Sequence, residues 1–330
     1  MLRYITRRLV GAIGLLFVVA CVIFVIFDVL PSADPAALRA GRNAAPEQIE
    51  NIRESLCLDD PTLTRFVDYM KGVFTPLETC RGETGPFYFG TSIFQNNQPV
   101  SEIILDRLPA TIFLVTGAVI LWLAIAIPVG TISAVKRRSL LDRTTMITSL
   151  AFISAPVFWL GLVALYLFAQ DVGQIPLFPG IGAYSDASGF LGHAWSLVLP
   201  WAVLALATAA IYSRYVRSQM IDVMGEDYIR TARAKGLTER TVIVRHGLRS
   251  AITPVVTLLG LDIGVLLAGN AILTESVFNI PGIGNEIVEA IGQSDYELIQ
   301  GIVLFGAFFI VIMNLIVDVL YAYLDPRVRF

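Results

Sequence analysis

Long apolar runs separated by shorter polar intervals set the pattern of this chain. Val, Leu, Ile, Ala and Phe dominate about Val10–Leu30, Ala110–Val135, Thr144–Ala169, Trp195–Ile211, Val255–Ala271 and Ile299–Tyr323. Roughly 20 helical residues span about 30 Å of hydrocarbon, so each run is expected to cross a bilayer. The pattern predicts an all-α polytopic membrane protein with about six transmembrane helices. The first run follows a basic start, Arg3, Arg7 and Arg8, as in a signal peptide. Its apolar core is too long for one and no small-x-small cleavage site follows, so it is expected to stay as a span. Pro128, Pro156 and Pro200 fall inside runs, where kinks are expected.

The polar intervals carry elements of their own. Three regions emerge: residues 1–30, a start and first span; 31–109, an extracytoplasmic segment; and 110–330, a core containing a polar loop at about 212–254. In the second region, "PEQIENIRESLCLDDP" opens on Pro46 and Glu47 and repeats Ile49, Ile52 and Leu56 at helical spacing. "TLTRFVDYMKGVF" predicts another short amphipathic helix, and "RGETGPFYFGTSIF" reads as turn and irregular backbone. Its aromatics favour a packed cap over a solvated loop.

The loop at about 212–254 contains "EDYIRTARAKG", a compact polar helix predicted over Glu226–Lys235. Glu226 and Asp227 sit at its start and Arg233 and Lys235 at its end, matching both poles of the helix dipole. Glu226 and Arg230 are spaced for an i,i+4 pair. Gly236 stands where a left-handed stop belongs, and Thr238 can cap a second helix through "ERTVIVRHGLRSAI" towards Pro254. Alone, the first helix is too short to be stable. Its face of Tyr228, Ile229 and Ala232, with Thr231 and Ala234 nearby, needs a partner. Lying on the inner membrane surface would satisfy the charge. Docking into another protein's groove also explains the small residues and the abrupt stop.

Composition agrees with the membrane reading: 55% of the 330 residues are apolar and 15% charged, with a mean hydropathy of +0.70. Net charge is only −3. With the N-terminus cytoplasmic, the inner regions 1–9, 136–143, 212–254 and 324–330 hold 17 of the 24 Lys and Arg residues. The positive-inside rule therefore places both termini in the cytoplasm.

Candidate chemistry is sparse. No P-loop, His-Glu-x-x-His, Gly-x-Ser-x-Gly or Cys-x-x-Cys pattern occurs, and there are two His residues. No catalytic residue, bound cofactor, metal ligand set or nucleic-acid site is expected. Costly polar groups do fall within spans: Asp262 and Asn270 in the fifth, Asn314 and Asp318 in the sixth. Interhelical hydrogen bonding suits Asn314 and Asp318, whereas Asp262 and Asn270 are candidates for lining a translocation path. Cys21 reads as a small apolar residue. Cys57 and Cys80 share the outer segment, where a disulfide and two free thiols are both open.

At this point the sequence resembles a family. "DYIRTARAKGL" with "RHGLRSAITP" is similar to the coupling loop of permease subunits in ATP-binding-cassette importers of the dipeptide/oligopeptide/nickel type. "RYITRRLV", "LPSADP", "QPVSEIILDRLPATIFL", "FNIPGIGNEIVEAI" and "NLIVDVLYAYLDPRVRF" follow the same family in the same order, over almost the whole chain. Departures are Arg230-Thr231-Ala232 where the broad pattern has Glu-Ala-Ala, and His246, Leu248 and Arg249 in place of Ile-x-Leu-Pro. Cys57 replaces a usual Gly, and "TPLETCRGETGPFY" around Cys80 looks inserted, which favours a staple between them.

The resemblance implies a type I importer fold in a prokaryotic inner membrane and a division of labour. A second similar permease would complete the pathway for peptides or similar small solutes. Two cytoplasmic ATPase subunits would bind ATP and Mg, each receiving a coupling helix, here Glu226 to Gly236. An extracytoplasmic binding protein would deliver substrate, and lipid would surround the spans. The alternatives are a self-sufficient secondary transporter or channel, which would need more ionisable groups deep in its spans, and a membrane enzyme, which the motifs do not support.

Overall fold

The computed structural model describes residues 2–30, 36–37, 45–55, 57–74, 89–92, 94–95 and 97–324. Its elements are helical apart from one minimal hairpin. In chain order they are α1 (Leu2–Phe24, continued by a π-helical turn Val25–Val29), α2 (Pro46–Ser55), α3 (Thr62–Phe74), β1 (Thr91–Ser92) and β2 (Gln98–Pro99). Then follow α4 (Val100–Val135), α5 (Leu140–Ser154), α6 (Val157–Phe168), α7 (Gly189–Ser196), α8 (Val198–Met224) and α9 (Asp227–Ala234). The last are α10 (Glu239–Thr241, continued by Val242–Leu248), α11 (Arg249–Val265, continued by Leu266–Asn270), α12 (Ile272–Phe278), α13 (Ile283–Gln293) and α14 (Tyr296–Leu324).

Among the described residues, five helices are long and apolar enough to cross a membrane: Thr6–Val29, Val100–Val135, Val198–Met224, Glu239–Gly269 and Tyr296–Val317. The third expected span is different. α5 and α6 meet at a bend of 99°, so this run is a broken pair and not one straight helix. The break falls at Pro156, but not every proline breaks a run. Pro128 sits inside the unbroken α4 and Pro254 inside the unbroken α11. Pro200 lies in the first turn of α8, where its missing N–H costs nothing.

The chain forms two compact units, Met1–Leu108 with Glu286–Val311, and Pro109–Asn285 with Ile312–Phe330. In the first, α1 packs on α3 through Phe24 against Phe66 and Tyr69, around a core of Ala20, Ile23, Val73 and Leu304. Arg65 pairs with Asp28 at the end of the first span. The hairpin is held by side chains: Ser92 donates to buried Asp295 at 2.5 Å, and Gln95 and Arg107 both donate to buried Glu286. Both helices expected in the outer segment form. Cys57 is disulfide-bonded and Cys21 is free; Cys80, the partner expected for Cys57, lies outside the described residues.

In the second unit, α8 is the central packing element. A Cβ on Gly117 would overlap the Trp201 ring, and one on Gly130 would lie 2.5 Å from the Ser213 carbonyl. α4 and α8 therefore approach as closely as backbone allows. Trp122, Ala126, Leu204, Tyr212, Val216 and Met220 fill the contact, with Ala251 and Val255 of α11.

Candidate functional site

The polar loop forms as a preassembled helical knob. α8 stops at Gly225, and Glu226 takes extended backbone (φ −69°, ψ 152°) to start α9. Asp227 occupies the first turn and Arg233 the last, so the dipole is matched at both ends. Lys235 is the last near-helical residue. Gly236 then adopts φ +77°, its N–H donating to Arg233 O at 2.9 Å while Leu237 N–H donates to Ala232 O at 3.4 Å. That bond pair is a Schellman stop, and it sets the helix end where Gly236 was expected to set it. Arg233 reaches across the turn to Glu239 with two bonds, Nε to Oε2 at 3.2 Å and Nη2 to Oε1 at 2.7 Å.

Two expectations change here. Arg230 pairs with Asp227 at 3.3 Å, not with Glu226, which stands outside the helix as its N-cap with extended backbone. Thr238 makes no capping bond to the backbone; its hydroxyl meets that of Thr241 at 2.8 Å. The face thought to need an outside partner also divides. Ile229 and Ala232 are buried on their own chain, against Val242 and Met224. Tyr228 stays 43% exposed. Thr231, Ala234, Lys235 and the Asp227 and Arg230 side chains share that exposed surface.

Behind the knob lies a buried ion pair. Asp142 at the start of α5 accepts from Arg217 Nε at 2.6 Å and Nη2 at 2.9 Å. It also accepts from Ser133 Oγ at 2.5 Å and from the Arg138 N–H at 2.9 Å. One carboxylate thus ties the end of α4, the following turn and the start of α5 to α8, about two turns before the end of α8. Sequence reading passed over it, since an Asp beside Arg143 reads as an ordinary helix start.

Of the candidate pathway residues, Asp262 accepts a hydrogen bond from the buried Tyr212 hydroxyl at 2.6 Å, beside Trp122. The side chain of Asn270 lies outside the described residues, as does that of Asp318. Glu275, on α12, was not foreseen. It is fully buried, accepting from Thr111 Oγ1 at 2.8 Å and from the Asn285 N–H at 2.9 Å, with the Gly284 N–H also donating. The carboxylate thus caps the start of α13. A Cβ on Gly282 would lie 2.4 Å from that carboxyl, which is why "PGIG" carries glycine there. Burial pushes the Glu275 carboxyl up, against hydrogen bonds that lower it. The signal available was an acid seven residues before the first of two glycines spaced by two. Among the described residues, no cluster of His, Cys, Asp and Glu could hold a metal ion.

Comparison with known proteins accords with this architecture. The family described as binding-protein-dependent transport system inner membrane component matches residues 126–330. The N-terminal family of the same membrane component matches residues 1–115. A glutathione transport system permease protein of Salmonella typhimurium is 38% identical over 331 residues, covering 100% of both chains. A putative peptide transport system permease protein of Brucella abortus is 37% identical over 330 residues, again covering 100% of both. A glutathione transport system permease protein of Escherichia coli is 37% identical over 331 residues with the same coverage.

Proposed function

The chain belongs to the inner-membrane components of binding-protein-dependent transport systems, the permeases of ATP-binding-cassette importers, and from that premise we propose how it works. It forms half of a translocation pathway with a second, similar permease. Two cytoplasmic ATPases bind and hydrolyse ATP with Mg, and an extracytoplasmic binding protein delivers the cargo. Both termini face the cytoplasm of a prokaryotic cell. Peptides are the cargo class, in keeping with the printed names of the relatives.

The observation that carries this reading is the knob at Glu226–Gly236. Its apolar side is already satisfied by Val242 and Met224, so it presents a finished, rigid, charged surface for docking. Tyr228, Arg230, Thr231, Ala234 and Lys235 make the contact with the ATPase cleft; Ile229 and Ala232 hold the helix to its own chain. A membrane-surface role would instead require the apolar side to be free for lipid. Asp262 acts through Tyr212, and with Asn270 it belongs to the region adjoining the pathway. A self-sufficient secondary transporter finds no support in coupled acids: among the described residues, Asp262 has a hydroxyl and not a cation as its bonded partner.

The test is recovery of the tagged chain in mild detergent, followed by uptake in proteoliposomes. An ATPase subunit should co-purify, and Tyr228→Ala with Arg230→Ala should release it while the permease stays folded. Uptake by the chain with no ATPase present would overturn the reading.

A further inference from the structure

The turn that joins α4 to α5 carries four cations and no exposed counter-charge. Lys136, Arg137, Arg138 and Arg143 are all exposed, and none of their side chains has an ion pair or hydrogen bond among the described residues. The acid in their midst, Asp142, faces inward. Both its oxygens are taken, by Arg217, by Ser133 and by the Arg138 N–H. Its charge is therefore spent on α8 and cannot neutralise the turn. Arg138 also holds φ +66°. Glycine or asparagine would accept that left-handed backbone at less cost, yet the chain keeps a cation there.

Depth decides what these cations meet. Residues 136–139 alone separate the end of α4, a helix able to cross a membrane, from the start of α5. Four residues that go out and return reach about 7 Å at roughly 3.5 Å per residue. That is no further than the headgroup layer, which adds about 5–7 Å to each side of the hydrocarbon. From there one exposed side of α5 runs through Leu140, Arg143, Ile147, Leu150 and Ala151, at helical spacing. Leu140 is 78% and Ile147 67% exposed. A surface with cations at its headgroup end and apolar side chains along its length matches a molecule with an anionic head and an acyl tail. A soluble acidic partner or a free anion would satisfy the cations and leave Ile147 and Leu150 bare.

We propose that the α4–α5 turn is a binding site for an anionic phospholipid. Lys136, Arg137, Arg138 and Arg143 hold its phosphate, and its acyl chain lies along Leu140, Ile147 and Leu150. Asp142 shapes the turn from within by fixing the Arg138 N–H. The site goes beyond the transport reading and is independent of the solute carried.

Native mass spectrometry tests it. The tagged full chain, recovered in mild detergent with the subunits that accompany it, is titrated with phosphatidylglycerol or phosphatidylcholine, and retained lipid is counted. Wild type should retain phosphatidylglycerol in preference. Arg137→Gln with Arg143→Gln should cut that preference about fivefold for each cation removed. Arg137→Lys with Arg143→Lys keeps the charge and should keep the preference, which separates lost binding from a lost fold. Arg240→Gln with Arg245→Gln removes two exposed cations from α10 and its continuation and should leave the preference unchanged. An equal loss in that second pair would reduce the effect to overall charge and overturn the site. Equal retention of the two lipids by wild type would overturn the proposal. So would displacement of the lipid by an equal concentration of inorganic phosphate, which would make the ligand a free anion. Release of an accompanying ATPase by Arg137→Gln with Arg143→Gln, with lipid preference intact, would give the turn to a protein partner instead.

Discussion

Replacing Arg217 by Met takes away the two guanidinium donors and leaves the Asp142 carboxylate with Ser133 Oγ and the Arg138 N–H. The Asp142 side chain is 6% and that of Arg217 23% exposed, so the pair is largely shielded from water. Removing one partner of a buried pair costs about 3–5 kcal/mol, because the remaining charge is stranded. The two surviving donors keep this case near the lower end, about 3 kcal/mol. Adding Asp142→Asn to Arg217→Met removes the stranded charge. Its amide oxygen can keep the Arg138 N–H while its NH2 donates to the Ser133 hydroxyl, which turns to accept, leaving a deficit of about 1 kcal/mol, the size of one lost hydrogen bond. The second substitution should therefore rescue most of what the first destroys. Thermal unfolding in one detergent should rank wild type first, the double variant second and Arg217→Met last. A double variant that melts below Arg217→Met would refute the assignment of Asp142 as a charge held by Arg217.

Three further outcomes are expected. Gly236→Val should uncouple ATP hydrolysis from uptake in proteoliposomes. A Cβ there meets nothing within 4 Å, so the penalty is the left-handed backbone alone, about 1–2 kcal/mol; wild-type uptake would sink the docking argument. For Glu275, burial raises the folded carboxyl above its ordinary 4.5, so the folded state holds the proton more tightly than the unfolded. That stabilisation is present below pH 4.5 and is lost as pH rises through the raised value. Glu275→Gln, which cannot ionise, should gain in melting temperature on wild type between pH 4.5 and neutrality, and parallel curves would contradict this. Protein unfolded without reductant should show a free thiol at Cys21 and none at Cys57 or Cys80; alkylation of both outer cysteines would refute the staple.

What could be read from the sequence was whatever is encoded locally. The spans announce themselves because each run is its own signal. Even so, α4 starts at Val100, ten residues before the apolar run at Ala110, since hydropathy rejects "SEIILDR". The helix continues there because Arg107 finds Glu286 at 2.7 Å, a partner 179 residues away in the chain. The helix after Glu226 was legible because its dipole-matched charges and its glycine stop lie within a dozen residues. Its buried side was misread because Val242, which covers Ile229, lies beyond the turn and on the next helix. Glu275 was invisible for the same reason, its hydroxyl donor Thr111 being 164 residues distant. Pro156 shows the limit from the other direction. Pro128 and Pro254 look no different in the sequence, yet both lie inside unbroken helices, whereas Pro156 stands at the start of α6.

These contacts bear on how a force on the knob would reach the rest of its unit. Because Ile229 and Ala232 are buried on Met224 and Val242, the knob cannot move without the ends of α8 and α10. Because Arg217 on α8 holds Asp142, displacement of that end also pulls on the start of α5. α5 ends at the break with α6, the one place in this run where the backbone is not locked by helical hydrogen bonds. A force on the exposed side of the knob therefore has a packed route to the bend between α5 and α6. That route places the rescuing pair, Arg217→Met with Asp142→Asn, at the link where a loss of coupling and a loss of stability can be measured separately: the double variant restores the fold but not the charged tie.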